Sequence, residues 1–152
     1  GFTMQLPTEE KYLVTLEEMQ DQIAVMLGGR AAEEIVFGQV STGAANDIER
    51  ATETARRMVT LYGMSERFDM MALETLSDVY LQGSTIRHTS PETQARIDEE
   101  TLHIIRTQHN RARDILKRNI SALTRAAEYL MDKETITGEE FAGILAEQPA
   151  KV

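Results

Sequence analysis

Cysteine is absent from the 152 residues of the chain. That excludes disulfides, thiolate metal sites and cysteine nucleophiles. No apolar run approaches the ~20 residues that a membrane-spanning helix needs. No basic segment followed by an apolar stretch opens the chain, so no signal peptide is expected. Cations are in the minority, 16 Lys and Arg against 25 Asp and Glu, for a net charge of -9. A chain of that charge lacks the clustered cations that release counterions from phosphates, so no nucleic-acid partner is expected. The same charge opposes docking on an anionic lipid surface. There is no G-x-x-x-x-G-K-[ST] and no G-x-G-x-x-G, so no nucleotide site is expected within these residues. No His-Glu-x-x-His occurs either, and the 3 histidines are scattered, with no arrangement for a nucleophilic triad.

What is present is a run of helical patterns. Apolar residues make up 41% of the chain and charged residues 27%, ordinary for a globular domain with a real core. Phe2, Met4 and Leu6 alternate and predict an N-terminal strand that Pro7 ends or turns into an edge. Thr15 and Glu18 form a capping box ahead of Leu16, Met19, Ile23, Met26 and Leu27. Gly28 and Gly29 are expected to interrupt this helix, at about 1 kcal/mol each. The pattern resumes from Arg30 to Phe37, and Gly38 reads as its C-cap. Two glycines and two alanines in one stretch suggest a face where another helix backbone comes close. A second helix is expected from about 43–47 to Leu61, closed by Gly63. Met70–Leu73 and Val79–Leu81 read as short strands or extended segments, and Gly83–Thr89 as a loop. Ser90-Pro91-Glu92 starts a long helix to about Lys117. A break near Asn119, a further helix, and a capping box at Thr137 and Glu140 with a short helix complete a mainly α chain with a minor N-terminal β element.

Asp47 is the foremost candidate site residue. Asn46 could cap the second helix with Glu49 closing the box, leaving Asp47 as a charge that favours the positive helix end. Alternatively its carboxylate is one ligand of a tetrahedral zinc, which needs two imidazoles from elsewhere. His103 and His109 lie six residues apart on one helix, about 240° around it, and cannot share a metal on one face. His88 falls in the expected loop. Glu33 and Glu34 point in different directions; one is expected to be solvated and the other to pair with Arg30, or one of them orients a metal-bound histidine. Residues 1–7 are either one strand of a small sheet or an exposed edge that pairs with an extended peptide. Asn119-Ile120-Ser121 fits a glycosylation acceptor, but nothing implies secretion.

Several long words, in order, resemble the peptidase domain of FtsH-type ATP-dependent zinc metalloproteases. They are Gly1-Phe2-Thr3-Met4-Gln5-Leu6-Pro7, the stretch from Leu27 to Gly38, the stretch from Ser41 to Thr52, and Gly63-Met64-Ser65-Glu66. Ser90-Pro91-Glu92-Thr93, Ile97-Asp98-Glu99-Glu100 and Glu134-Thr135-Ile136-Thr137-Gly138 follow. The resemblance covers nearly the full chain and implies the fold, a multi-helix peptidase domain. It implies zinc held by two histidines of a His-Glu-x-x-His helix and by the aspartate at Asp47. The glutamate of that motif activates water for peptide hydrolysis. Phe2, Thr3, Met4, Gln5 and Leu6 correspond to a strand that holds substrate extended. The Gly28-Gly29 helix would pack against the histidine helix, and Glu33 or Glu34 would stand behind the metal.

The histidine helix of the family precedes the Gly-Phe-Thr-Met word, and the ATPase module and membrane anchor lie further upstream. The chain therefore reads as a C-terminal piece, consistent with a start at Gly1 rather than Met, and inactive alone. It would comprise a partial zinc-peptidase lobe at 1–89 and a helical lobe at 90–152, joined as one continuous domain. Expected partners are unfolded or membrane protein substrates, the ATPase module with its ATP, and further copies in a hexamer. The parent would be membrane-anchored, with this domain soluble on the cytoplasmic or organelle matrix or stromal side. Where the family continues Leu-Gly-Pro after the Gly-Met-Ser-Glu word, this chain has Arg67-Phe68-Asp69-Met70-Met71, a divergent branch. A helical assembly module without catalysis and a pseudo-protease are the alternatives.

Overall fold

Thr15 and Glu18 start the first helix as their spacing demands. The Thr15 hydroxyl accepts the Glu18 N–H at 3.2 Å, and the Glu18 carboxylate accepts the Thr15 N–H at 2.8 Å. These details come from a computed structural model, which describes residues 13–76, 85–87 and 89–147. The expected N-terminal strand and its residues Phe2, Thr3, Met4, Gln5 and Leu6 lie outside that range, as do Val79–Leu81 and His88.

The first helix, α1, runs unbroken over Leu16–Phe37. The expected interruption at Gly28-Gly29 does not occur. Met19, Ile23, Leu27 and Ala31 are buried on one face, and that burial outweighs the propensity cost of the two glycines. A Cβ built on either glycine meets nothing within 4 Å, so no described neighbour requires their smallness. Gly38 closes α1 in the left-handed region, at φ 63°, and donates its N–H to the Glu34 carbonyl.

A 3-10 turn at Thr42–Ala44 leads directly into α2, Ala45–Thr60. On α2, Ala51, Ala55 and Met58 are buried against Met19, Ile23 and Leu27 of α1, with Ile104 and Ile105 of the long helix completing the cluster. Gly63, at φ 60°, reverses the chain after α2. Leu73 then donates its N–H to the Thr60 carbonyl at 3.1 Å and packs with Val59 and Ile97 in a second apolar cluster.

Strand β1, Glu74–Leu76, pairs antiparallel with β2, Thr85–Arg87, in the register Thr75 opposite Ile86. Gly83–Thr89 was expected to be a loop. Instead β2 falls inside it, because Thr85 and Ile86 are β-branched residues with a ladder partner available. The extended reading of 70–73 stops one residue short of the strand that forms.

Ser90 caps α3, Pro91–Arg118, accepting the Thr93 N–H, with Pro91 at the first helical position. This helix packs along both α1 and α2. Asn119 ends it and is followed at once by α4, Ile120–Lys133, and then by α5, Gly138–Ala146, which opens with the expected Thr137 and Glu140 box. Among the described residues the chain is mainly α, with one two-stranded sheet. No described helix is long and apolar enough to cross a membrane.

Candidate functional site

The segment from Gly38 to Asp47 is short, and its conformation is dictated from α1. Ser41 is extended and caps the 3-10 turn, its hydroxyl accepting the Gly43 N–H at 3.1 Å. The same hydroxyl donates to Glu33 Oε1 at 2.6 Å, and the Ser41 N–H donates to Glu33 Oε2 at 3.1 Å. Arg30 Nη2 donates to the Ser41 carbonyl at 3.1 Å, and Arg30 Nη1 stands 3.9 Å from Glu33 Oε2. The Ser41 hydroxyl holds the Glu33 carboxyl below the usual carboxylate range, its backbone N–H adds to this, and the Arg30 charge contributes less. A side chain at position 43 would crowd this knot. Its Cβ would lie 3.3 Å from Ser41 Oγ and 3.7 Å from Glu33 Oε1.

The turn delivers the chain into α2 without a side-chain cap. The N-cap position is Ala44, so the expected capping by Asn46 with Glu49 is not realised; Asn46 already lies within the first turn. The capping work falls one step earlier, on Ser41. Asp47 stands at the third position of α2, where the unpaired N–H groups give the helix end its positive character. It is half-buried, and its carboxylate makes no hydrogen bond or ion pair with any described residue.

Glu34 takes another direction. It lies 3.3 Å from His109 Nε2 and 3.5 Å from Arg113 Nε, bridging α1 to α3. Neither nitrogen makes an aligned hydrogen bond to it. Glu33 is the acid near Arg30, and Glu34 is engaged across the helix interface rather than solvated. His103 is exposed. Among the described residues, no three His, Asp or Glu side chains converge as a metal site.

The structure thus brings Glu33 to the turn that leads into the helix of Asp47, and sends Glu34 and His109 to the α1–α3 contact. Sequence reasoning missed the knot at Ser41. Its signal was there in part: the Arg30 and Glu33 spacing, and Gly38 placed to fold residues 39–41 back along α1. It also missed Arg56, which reaches Asp98 at 2.7 Å, Gln94 at 2.9 Å and Glu74 at 3.5 Å, joining α2 to α3 and β1.

Comparison with known proteins places the chain among sequence relatives. The chain is 59% identical over 95% of its length to an ATP-dependent zinc metalloprotease FtsH of Clostridium perfringens, of which it covers 20%. It is 49% identical over 95% of its length to a protein of the same name from Lancefieldella parvula, covering 22% of it. It is 45% identical over its whole length to another from Thermotoga maritima, covering 25%. The chain therefore spans a fifth to a quarter of the length of these relatives. The profile of peptidase family M41 matches residues 1–144. With a match of that extent, the chain belongs to peptidase family M41, as a segment of an FtsH-type peptidase domain.

Proposed function

We propose that the chain is the part of an ATP-dependent zinc metalloprotease that contributes one metal ligand, Asp47, and a substrate-holding strand at Phe2, Thr3, Met4, Gln5 and Leu6. The observation that carries this reading is the Asp47 carboxylate, half-buried at a helix start, without a partner among the described residues, in a chain of the M41 family. A carboxylate oxygen is a hard donor suited to zinc. Asp47 lies in the first turn of α2, at the positive end of that helix. The other ligands are two imidazoles contributed from outside these residues. When bound, the metal supplies Lewis-acid chemistry for peptide hydrolysis. The chain's own part is to aim Asp47 and to hold an extended peptide.

Residues 1–89 form the partial zinc-peptidase lobe in this reading, and 90–152 a helical lobe continuous with it. The parent takes unfolded or membrane proteins fed by its ATPase module. It is membrane-anchored, with this domain on the cytoplasmic or organelle matrix or stromal side. The 152-residue chain alone cleaves no peptide and holds zinc weakly. Calorimetric titration with zinc tests that: tight stoichiometric binding by the isolated chain refutes it. In the full protease, Asp47→Asn should abolish bound zinc and proteolysis while ATP hydrolysis persists. An Asn variant that keeps its zinc removes Asp47 from the ligand set.

A second reading has support of its own. Met131, Phe141 and Leu145 are exposed on α4 and α5. Such surface suits an assembly role for residues 90–147. Light scattering distinguishes a monomer from a self-associating chain.

A further inference from the structure

Glu33 does more than pair with a neighbouring arginine. Its two oxygens take separate bonds from one residue, the Ser41 N–H at 3.1 Å and the Ser41 O–H at 2.6 Å. Arg30, one turn earlier on α1, takes the carbonyl of that same Ser41 at 3.1 Å. All three polar groups of Ser41 are therefore gripped from α1, and its hydroxyl in turn accepts the Gly43 N–H that closes the 3-10 turn. From Ser41 to Asp47 the chain passes through one turn and into a helix. The turn runs into α2 with no intervening linker, and Ala44 between them is buried. The start of α2 has no side-chain cap of its own, so Ser41 supplies the nearest side-chain anchor before it.

We propose that Glu33 is a positioning residue for Asp47, acting through Ser41: a two-point grip from α1 sets where the Asp47 carboxylate stands. This rests on the reading of Asp47 as a metal ligand for its functional meaning, but not for its geometry. It also separates the adjacent acids. Glu34 is committed to His109 and Arg113 on α3, and Glu33 alone reaches the loop.

Substitution at position 33 separates a grip from a charge. Gln is able to repeat both bonds, its oxygen accepting the Ser41 N–H and its amide donating to Ser41 Oγ, without the charge. Ala makes neither. In the 152-residue chain, Glu33→Ala should speed amide hydrogen exchange at Ser41 and Gly43 by about tenfold or more and move the Asp47 amide and carboxyl carbon resonances. Exchange across Ala51–Val59 should be unchanged, showing that the core persists. Glu33→Gln should restore the Asp47 resonances. The proposal is overturned if Ala leaves Ser41, Gly43 and Asp47 as they were, or if Gln behaves like Ala. A parallel arm uses the full protease: Ala should weaken zinc about tenfold and Gln by much less. A wild-type protease without zinc at Asp47 would overturn the functional reading and leave the resonance test to decide the grip. Loss of the grip with zinc affinity unaltered would overturn the positioning role.

Discussion

Helices α1, α2 and α3 meet through apolar side chains, whereas α4 and α5 meet through polar ones. In the first group Ile23, Ala51, Ala55, Met58, Val59 and Ile97 are all fully enclosed. In the second, Ala126 is the one buried residue of α4, and α5 has none. What joins α4 to α5 is Arg125, donating to the carbonyls of Ile144 and Glu147 at 2.8 Å each, and Tyr129, donating to Glu140 at 2.6 Å. Apolar burial stabilises by area, is insensitive to pH and is shared among many contacts. A contact made of two or three hydrogen bonds depends on each of them and on protonation. The candidate metal ligand lies in the first turn of α2, a helix of the first group, but the turn just before it is held by the polar bonds to Ser41.

The largest test of this contrast is a cavity in the three-helix core. Ile23→Ala should cost about 2–5 kcal/mol in urea or thermal unfolding, because α1, α2 and α3 cannot all collapse into the space. Leu130→Ala on half-exposed α4 should cost less than about 1 kcal/mol by the same measurement. Comparable losses at the two positions would erase the difference between the regions.

Arg56 comes next. Removing it by Arg56→Ala takes a partner from Asp98, Gln94 and the buried Glu74 together. A loss of about 1–3 kcal/mol is expected in chemical denaturation. Exchange should rise first at Glu74 and Thr75, because β1 is anchored to α2 partly through that guanidinium. Uniform loss across α1 and α2 instead would mean that Arg56 supports the core rather than the strand.

Much of this architecture was legible in the chain. Caps at Thr15 and Thr137 announce themselves by spacing, since the hydroxyl and the acid three residues on satisfy local orphan groups, and Ser90 by the Pro91 that follows it. The Ser41 knot was not legible, because its partners lie 8 and 11 residues away and meet only after Gly38 turns the chain. Likewise, Asn46 has the chemistry of a cap but stands two residues past the cap position, inside the first turn. Tertiary position decides such cases, and propensity does not. The Gly28-Gly29 pair misled in the opposite direction: local cost was overruled by the buried residues around it. Asp47 is a candidate through a resemblance; its lack of partners among the described residues emerges only from the fold.

Arg125→Ala should be milder than either change above. With the α5 carbonyls released, α5 amides should lose protection by about 1 kcal/mol while those of α2 keep theirs. Global unfolding of α1–α3 should barely move, and a shift there would show that the two regions fold as one unit.

The smallest effect, and the most diagnostic, is one of pH on the α4–α5 contact. The Tyr129 hydroxyl and then the Thr137 N–H and O–H hold the Glu140 carboxyl below its usual range. A carboxyl depressed on folding contributes above its unfolded value, near pH 4, and the contribution fades as acid titrates it through the lower folded value. The hydrogen bond to Glu140 raises the Tyr129 phenol above its usual range, with burial and the charge of Glu140 adding to this. A phenol raised on folding contributes below about pH 10 and loses that contribution as alkali passes through its folded value. The contact should therefore weaken at both extremes, seen as faster α5 exchange relative to α2 below about pH 4 and above about pH 10, after correction for the intrinsic rates. Tyr129→Phe should flatten the alkaline limb entirely and reduce the acid one, since the Thr137 bonds to Glu140 remain. If the alkaline limb persists in the Phe variant, another group joins α4 to α5. If neither limb exists in the parent, the polar contact contributes nothing to holding the two helices together, and the contrast between the two regions lies in apolar burial alone.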